Sequence, residues 1–471
     1  MVPTRRLPAL LACLSILLAS PSLVFAQEND RDVPSREIEA NRKAQEAAKS
    51  SSELASLESG ETVAYQDILR DPDNLQLNYR YARAQVDRGD YLGASATLER
   101  ILLIDPSLAD VRLFYAIVLY RLDNLSEAEQ QFQLARAGDI PDTSQREIDE
   151  YLHEIHQRHK TTRFSTTLSM GWGYDTNRNS APSSKEIFFA NTPFPLTGSS
   201  RKRKDTQFLL VHNISAAHDI GQTGHQWIGS YDAFVGEQTV VDDLDIHSFA
   251  FETGFLLKTR LGEFTPTGSF DHLLLSRETY LRNMGAKVAW HKDLGLRWAL
   301  DAEPSWSHEQ YRGISESAAA RERTGDMIAF TGGPSYLLSP TMKLTGIIGY
   351  ENKDAKANYN AYEGYSFGGQ HTWVLPVGQF LVSSLIYTEN IYNEPDYAIS
   401  PHKRTDRQFR ARATYGAPIT LFVTDHLLPE WVTKDLTASF SVEQFRAIST
   451  ITNYTYTNSK VSGMLTKRVE F

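Results

Sequence analysis

Few residues in this chain are spaced for covalent or metal chemistry. His153, His156 and His159 recur at every third position of HEIHQRH. His153 and His156 share a helix face, the least a metal needs, but HEIH is not the HExxH of zinc proteases, and a solvated helix end is the plain alternative. Asp242, Asp243 and Asp245 form an acidic loop that would either hold calcium loosely or stay solvated. Ser, His and Asp are plentiful, yet no GxSxG elbow, no ordered spacing of nucleophile and base, and no nucleotide-binding motif is present. The sequence therefore predicts no enzyme, no cofactor and no metal site. The charges that do follow a pattern alternate with apolar residues. Glu252, Lys258 and Arg260 oppose Phe249, Phe251, Phe255, Leu257 and Leu261; Arg297, Asp301 and Glu303 oppose Leu296, Trp298, Leu300 and Ala302; Glu443 opposes Leu436, Ala438, Phe440 and Val442. Arg410 and Arg412 share a face in the same way, and pair with Glu443 or steer a substrate.

That alternation calls for strands. Phe164 to Tyr174, FSTTLSMGWGY, puts Phe164, Leu168, Met170, Trp172 and Tyr174 on one side and Ser165, Thr167, Ser169, Gly171 and Gly173 on the other. The pattern recurs over fourteen segments from residue 164 to the terminal aromatic Phe471. Apolar outside, polar inside and aromatic at the borders is how a transmembrane β-barrel reads. Charges on the polar face belong in a wet lumen, because facing mid-bilayer lipid they cost roughly 2–4 kcal/mol each. Connections alternate between long (175–204, 238–246, 310–322, 353–360, 394–403) and tight (221–224, 262–263, 293–294, 339–340, 377), as expected of outer loops and periplasmic turns. The short 276–278 loop and the long, apolar 417–433 segment are the two exceptions. The latter is expected to form a plug or a periplasmic lip, or to hide a further strand pair.

The chain has 471 residues and a net charge of −10, which disfavours nucleic acid as a partner. Mean hydropathy is −0.39, and beyond the N-terminus no apolar run reaches the ~18 residues of a membrane helix. Residues 1–26 carry Arg5 and Arg6, an apolar run and Val24-Phe25-Ala26, and are expected to be a secretory signal peptide. A lipobox-like Leu10-Leu11-Ala12-Cys13 is the rival reading, but it leaves too short an apolar run before the cysteine. Cys13 is the only cysteine, so the mature chain is expected to use neither disulfides nor thiols.

Residues 27–60 read as a leader and a thinly amphipathic helix. Between 61 and 160, Asp71-Pro72 recurs as Asp105-Pro106, and Ala82 and Ala94 recur as Ala116 and Ala128, always at 34 residues. This is the tetratricopeptide (TPR) period, with small residues where paired helices touch. Positions expected to face the groove of such a stack are Tyr79, Arg83, Val86, Asp110, Leu113, Ile117 and Tyr120. They contact a client protein or simply pack between helices, the latter strongest for Val86 and Ile117. Arg201, Lys202, Arg203 and Lys204 form a basic run before a strand, suited to acidic lipopolysaccharide or a client. The expected fold class is thus α+β multidomain: an N-terminal α-helical TPR module, then a 14-stranded transmembrane antiparallel β-barrel over 161–471.

The order of signal peptide, short TPR module and fourteen strands opened by Gly171-Trp172-Gly173-Tyr174-Asp175-Thr176-Asn177-Arg178-Asn179 resembles the Slam family. These are surface lipoprotein assembly modulators of Gram-negative bacteria, also called type XI secretion translocons. Arg404-Thr405-Asp406-Arg407 and the stretch from Asp435 to Phe471 look like the family's closing strands. The resemblance covers about residues 60–471 in layout and those three stretches in sequence. It implies an outer-membrane protein with its TPR module in the periplasm. It also implies delivery of client proteins, either surface lipoproteins or secreted haem- or metal-binding proteins, to the cell surface. Outer-membrane lipid and the barrel-assembly machinery are the other expected partners. A TPR-barrel porin or polysaccharide exporter is the alternative.

Overall fold

The computed structural model describes residues 65–471 apart from 139, 222–223, 316 and 424–428. The expected signal peptide at 1–26 and leader at 27–60 lie outside the described residues. The chain divides into two compact units, one helical and ending at Thr161, the other running from Thr162 to Phe471.

The helical unit contains α1 (Tyr65–Arg70), α2 (Leu75–Asp87), α3 (Tyr91–Ile104), α4 (Ala109–Arg121), α5 (Leu125–Arg136) and α6 (Asp142–His159). The helices α2 and α4 begin at Leu75 and Ala109, and α3 and α5 at Tyr91 and Leu125, so each pair repeats at an offset of 34 residues. Side chains cap the first repeat: Asn74 accepts from the Leu77 N–H at 3.0 Å and Asp90 from the Gly93 N–H at 2.9 Å. Between repeats, Asp105 accepts from the N–H and hydroxyl of Ser107, and those bonds hold its carboxyl below the usual range. Ala82, Ala94, Ala116 and Ala128 are fully buried, where a larger side chain would force the helices apart. Polar cross-links between α2 and α3 include Thr97 donating to Gln85 at 2.8 Å and Arg100 donating to the buried Asn78. Arg112 donates to Gln131 of α5 and to the Pro106 carbonyl, both at 2.7 Å, tying α4 to its neighbours.

The second unit is a closed antiparallel barrel of fourteen strands. Its strands are β1 (Thr162–Asp175), β4 (Asp205–Ile220), β5 (His225–Gln238), β6 (Ile246–Thr259), β7 (Gly262–Leu275), β8 (Glu278–Asp293) and β9 (Trp298–Tyr311). They continue with β10 (Gly325–Ser339), β11 (Met342–Lys353), β12 (Tyr362–Val374), β13 (Phe380–Tyr392), β14 (Thr405–Pro418), β15 (Leu436–Ser449) and β16 (Tyr456–Glu470). Neighbours in sequence are neighbours in the sheet, and β1 pairs with both β4 and β16 to close the ring. The fourteen segments with alternating pattern are these fourteen strands. Among the described residues no helix is long and apolar enough to cross a membrane; the strands would do the crossing.

Outward positions are apolar and exposed: on β1, Phe164, Leu168, Met170, Trp172 and Tyr174. One end carries the long connections and the other the short ones, hereafter the loop end and the turn end. The chain enters β1 at the turn end. The 417–433 segment contains no further strand among its described residues; it holds a 3₁₀ turn (Ile419–Leu421) and α7 (Glu430–Thr433). Lys467 donates to the Trp431 and Val432 carbonyls, so this segment is a lip fastened to the end of β16. The loop-end connection after β1 contains an unexpected small hairpin, β2 (Glu186–Phe189) and β3 (Thr192–Pro195).

Closure depends on one bare position. A Cβ at Gly171 would come within 2.0 Å of the Gly463 carbonyl oxygen across the β1–β16 seam, whereas at Gly173 it would meet the flexible Gln207 side chain at 3.1 Å and Leu209 at an ordinary 3.5 Å. Gly171→Ala should therefore destabilise the barrel by about 1–3 kcal/mol, with Gly173→Ala nearly neutral, as read by urea unfolding of the heat-modifiable band. Equal stability of the two variants would contradict the seam argument.

Candidate functional site

The barrel interior has two regions of different character. From the strand midpoints to the turn end it is charged and partly solvated. Lys287 of β8 lies 3.1 Å from Glu252 of β6 and 4.0 Å from Glu303 of β9, with all three side chains about one-third exposed. Asn213 donates to Asp232 of β5 at 2.7 Å, and Asn283 donates to Asp271 of β7 at 2.9 Å. His291 contacts Asp301 at 2.8 Å, and Lys258 lies 3.7 Å from Glu263. This wall, from β5 to β9, is predominantly acidic. In the ring of fourteen, β14 stands seven strands from β7, which is diametrically opposite, and it bears Arg410 and Arg412. Arg412 is registered beside Glu443 of β15, which is beside Lys460 of β16, and the Arg410 guanidinium lies over the Phe445 ring at 5.3 Å.

Of the nine polar positions expected in the lumen, Glu252, Lys258, Asp301, Glu303, Arg410, Arg412 and Glu443 lie on strands and two do not. Arg260 and Arg297 are exposed in turns, not on strands. The strand β6 ends at Thr259, whose hydroxyl donates to the Gly262 carbonyl and accepts from the Leu261 N–H. The strand β9 begins only at Trp298, after a turn in which Gly295 takes a positive φ of 91°. Both arginines therefore lie at the turn-end rim.

At the loop end the interior is a packed core. Asp175, Glu309, Lys353, Tyr362, Tyr392, Asp406, Phe445 and Tyr456 face inward from eight different strands and are all buried. Arg404 forms a two-pronged pair with Asp406, its Nε at 2.9 Å and its Nη2 at 2.5 Å from Oδ2, with side-chain exposures of 8% and 1%. The same guanidinium lies 4.3 Å from the Tyr392 ring centroid and 3.4 Å from that of Tyr454. Lys353 pairs with Glu309 at 2.5 Å and lies over Tyr311, which meets Tyr280 edge-on.

The loops lock above this core. Arg178 donates to the Leu244 carbonyl at 2.9 Å; burial pushes its pKa down, against the upward pull of Asp175, Asp205 and Asp245. Asp205 accepts from the Val240 and Val241 N–H groups. Asn177 bonds Ala181 through both its oxygen and its nitrogen, and Asn179 holds Arg201 and Arg203 by their backbones. Further round, Ser315 donates to Glu278, Arg323 to the Tyr280 hydroxyl, Tyr359 to Glu322, Asn358 to Glu394 and Thr450 to the Lys403 carbonyl. The ring of loops is continuous.

The basic and acidic runs serve this collar. Arg201 donates to the Leu196 carbonyl, Arg203 lies 3.9 Å from Asp243, and Asp245 accepts from the Gln238 N–H; Lys202 and Lys204 remain exposed. In the helical unit His156 pairs with Glu129 at 3.1 Å, and the His159 side chain lies outside the described residues. Of the seven groove positions, Tyr79, Val86, Leu113, Ile117 and Tyr120 are buried in the helical core. Tyr79 packs edge-on against Phe114, and Tyr120 donates to Glu154 of α6 at 2.7 Å. Those five line inter-helix contacts, because the helix following each pair covers the face that an isolated pair would expose. Arg83 and Asp110 are half-buried.

No family model matches this chain, and no curated protein matches it. Among the solved structures it is similar to are several from Pseudomonas aeruginosa. OpdQ is 9% identical, covering 66% of this chain and 100% of its own, with a TM-score of 0.32. The outer membrane protein OpdK is 8% identical, covering 66% and 99%, at 0.32, and OccK9 (OpdG) is 9% identical, covering 66% and 98%, at 0.32.

The buried pair at the loop end sets a prediction. Asp406→Asn strands the Arg404 charge among tyrosines and should cost about 3–5 kcal/mol in barrel stability, while Arg404→Met combined with Asp406→Asn should recover most of it. Denaturant unfolding of the single and double variants checks this, and additive losses would contradict it.

Proposed function

We propose that this protein is an outer-membrane translocon that delivers client proteins from the periplasm to the cell surface, as its resemblance to the Slam family implies. The helical unit is a TPR module in the periplasm, and the turn end of the barrel lies on the periplasmic side of the membrane. The loop end faces outward, with Lys202 and Lys204 suited to the phosphates of outer-membrane lipid. The client is a surface lipoprotein or a secreted haem- or metal-binding protein.

One observation carries this reading: the lumen is charged and partly solvated at its middle, while at the loop end inward side chains from eight strands are buried in a packed core under interlocked loops. A passive pore has no use for such a seal. A device that acts only on a client needs a closed resting state, because a permanently open passage would leak solutes. Helical hairpins repeating at 34 residues support a partner-binding module. Arg83 and Asp110 are the groove positions that reach solvent without repacking, and they are assigned the first contacts with the client. A TPR-barrel porin or polysaccharide exporter is the second reading; the opposed acidic and basic walls favour it, since they suit passage of a hydrated solute.

Deleting residues 27–160 while keeping the signal peptide should abolish client exposure at the surface and leave barrel insertion unchanged. Surface proteolysis read beside heat-modifiable mobility of the barrel checks both. Full delivery by the truncated protein would remove the helical unit from the mechanism.

A further inference from the structure

The hairpin in the first outer loop is held down differently from the rest of the collar. Its flanks are fixed: Asn177 and Asn179 pin both arms, the Ser183 N–H donates to the Thr455 carbonyl, and Leu196 is buried. The hairpin itself buries little. All four residues of β3 are exposed, and Phe189 and Phe194 meet edge-on in the open, about half exposed. Ile187 and Phe188 are half-buried and no residue of either strand is fully buried, so apolar burial contributes little to seating it.

Polar bonds at two points do. Asn453, in the β15–β16 loop, accepts from the Phe188 N–H at 2.7 Å and donates to the Phe188 carbonyl at 2.8 Å. At the tip, the Ala190 N–H donates to the Ala398 carbonyl at 2.8 Å and the Asn191 N–H to the Ile399 carbonyl at 3.0 Å, both in the β13–β14 loop. The hairpin leaves the barrel between β1 and β4, so it straps across the loop-end termini of β16, β15 and β14. Tyr454 and Arg404, members of the packed core, lie in the loops it clasps. The tip is also strained. Its two central residues have φ of 45° and 59°, the turn that favours Asn-Gly, and Ala190 carries a Cβ there. Strain of this kind persists where surrounding contacts hold it, and here the holding contacts are the tip bonds themselves.

We propose that residues 186–195 form a releasable strap over the outer exit, latched by Asn453 and by the main chain at Ala398 and Ile399. Release relieves the turn and frees the β13–β16 side of the core to open. The flanks act as fixed hinges, so the strap swings without unravelling the β1–β4 connection. The inference adds a resting latch to the translocon reading and needs no knowledge of the client.

The test is the KCl current through the full-length protein in planar bilayers. Asn191→Cys with Ile399→Cys places a thiol pair across the tip, in a chain whose only other cysteine is Cys13. Oxidation should suppress openings and reductant should restore them, the reduced form serving as its own folding control. Asn453→Ala, losing two hydrogen bonds, should open on the order of tenfold more often than the unaltered protein. Failure of the pair to oxidise in the native membrane, equal openings in both redox states, or an Asn453→Ala variant that opens no more often would each overturn the latch. Because the current is read without a client, a failed latch and a failed delivery function are distinguishable.

Discussion

Every feature of the barrel follows from the requirement that, in lipid, no backbone N–H or C=O be left unpaired. A sheet meets it only by closing, and the closing contact is β1 against β16, paired from Ser165 with Glu470 to Asp175 with Lys460. Once that register is set, the two-residue period decides which side chains see lipid and which see the lumen. Trp172 points out over bare Gly463, while Gly171 lets the two backbones approach. A one-residue slip would send Phe164, Leu168 and Met170 inward and expose Ser165, Thr167 and Ser169 to lipid.

Closure creates an interior that the chain fills unevenly. At the middle, small and charged side chains leave room for water, and Lys287 between Glu252 and Glu303 is screened enough to be tolerated. At the loop end, large aromatic side chains surround paired charges. The Arg404–Asp406 and Lys353–Glu309 pairs are desolvated, which is unfavourable unless their remaining donors and acceptors are met. Tyr392 and Tyr454 serve Arg404 with their ring faces, and Tyr311 serves Lys353 likewise. Such pairs add little net stability beside an apolar core, but they disfavour alternative packings. A seal made of them is specific and, with its polar parts rewetted, reversible. That combination suits an exit that is normally shut.

The barrel was legible because its signal is periodic and local. Alternation over fourteen segments gave the strands, and the contrast of long and short connections gave the two ends. The helix starts Leu75 and Ala109, and Tyr91 and Leu125, repeat at the same 34-residue interval. What sequence could not supply were contacts between segments far apart in the chain. Asp175, Asn177, Arg178 and Asn179 were read as the family-like opening of the first loop, yet their role as its anchor depends on partners near residues 201, 244 and 458. The strap hairpin was hidden in a loop with only two short apolar runs. Tyr79, Leu113 and Tyr120 were placed facing a groove because a single helix pair has an open face, which the next helices then cover. Arg260 and Arg297 were misplaced by two residues or fewer at turns, where a glycine or a threonine hydroxyl sets the strand boundary.

The central claim is that the protein moves particular proteins outward. The most direct test compares protease-accessible and secreted proteins of the native cell with and without this chain. The account predicts that one or a few proteins shift from the surface or medium back into the periplasm when it is lost. An unchanged set of exposed proteins, with small-solute or polysaccharide flux reduced instead, would contradict it and leave a porin or exporter in its place.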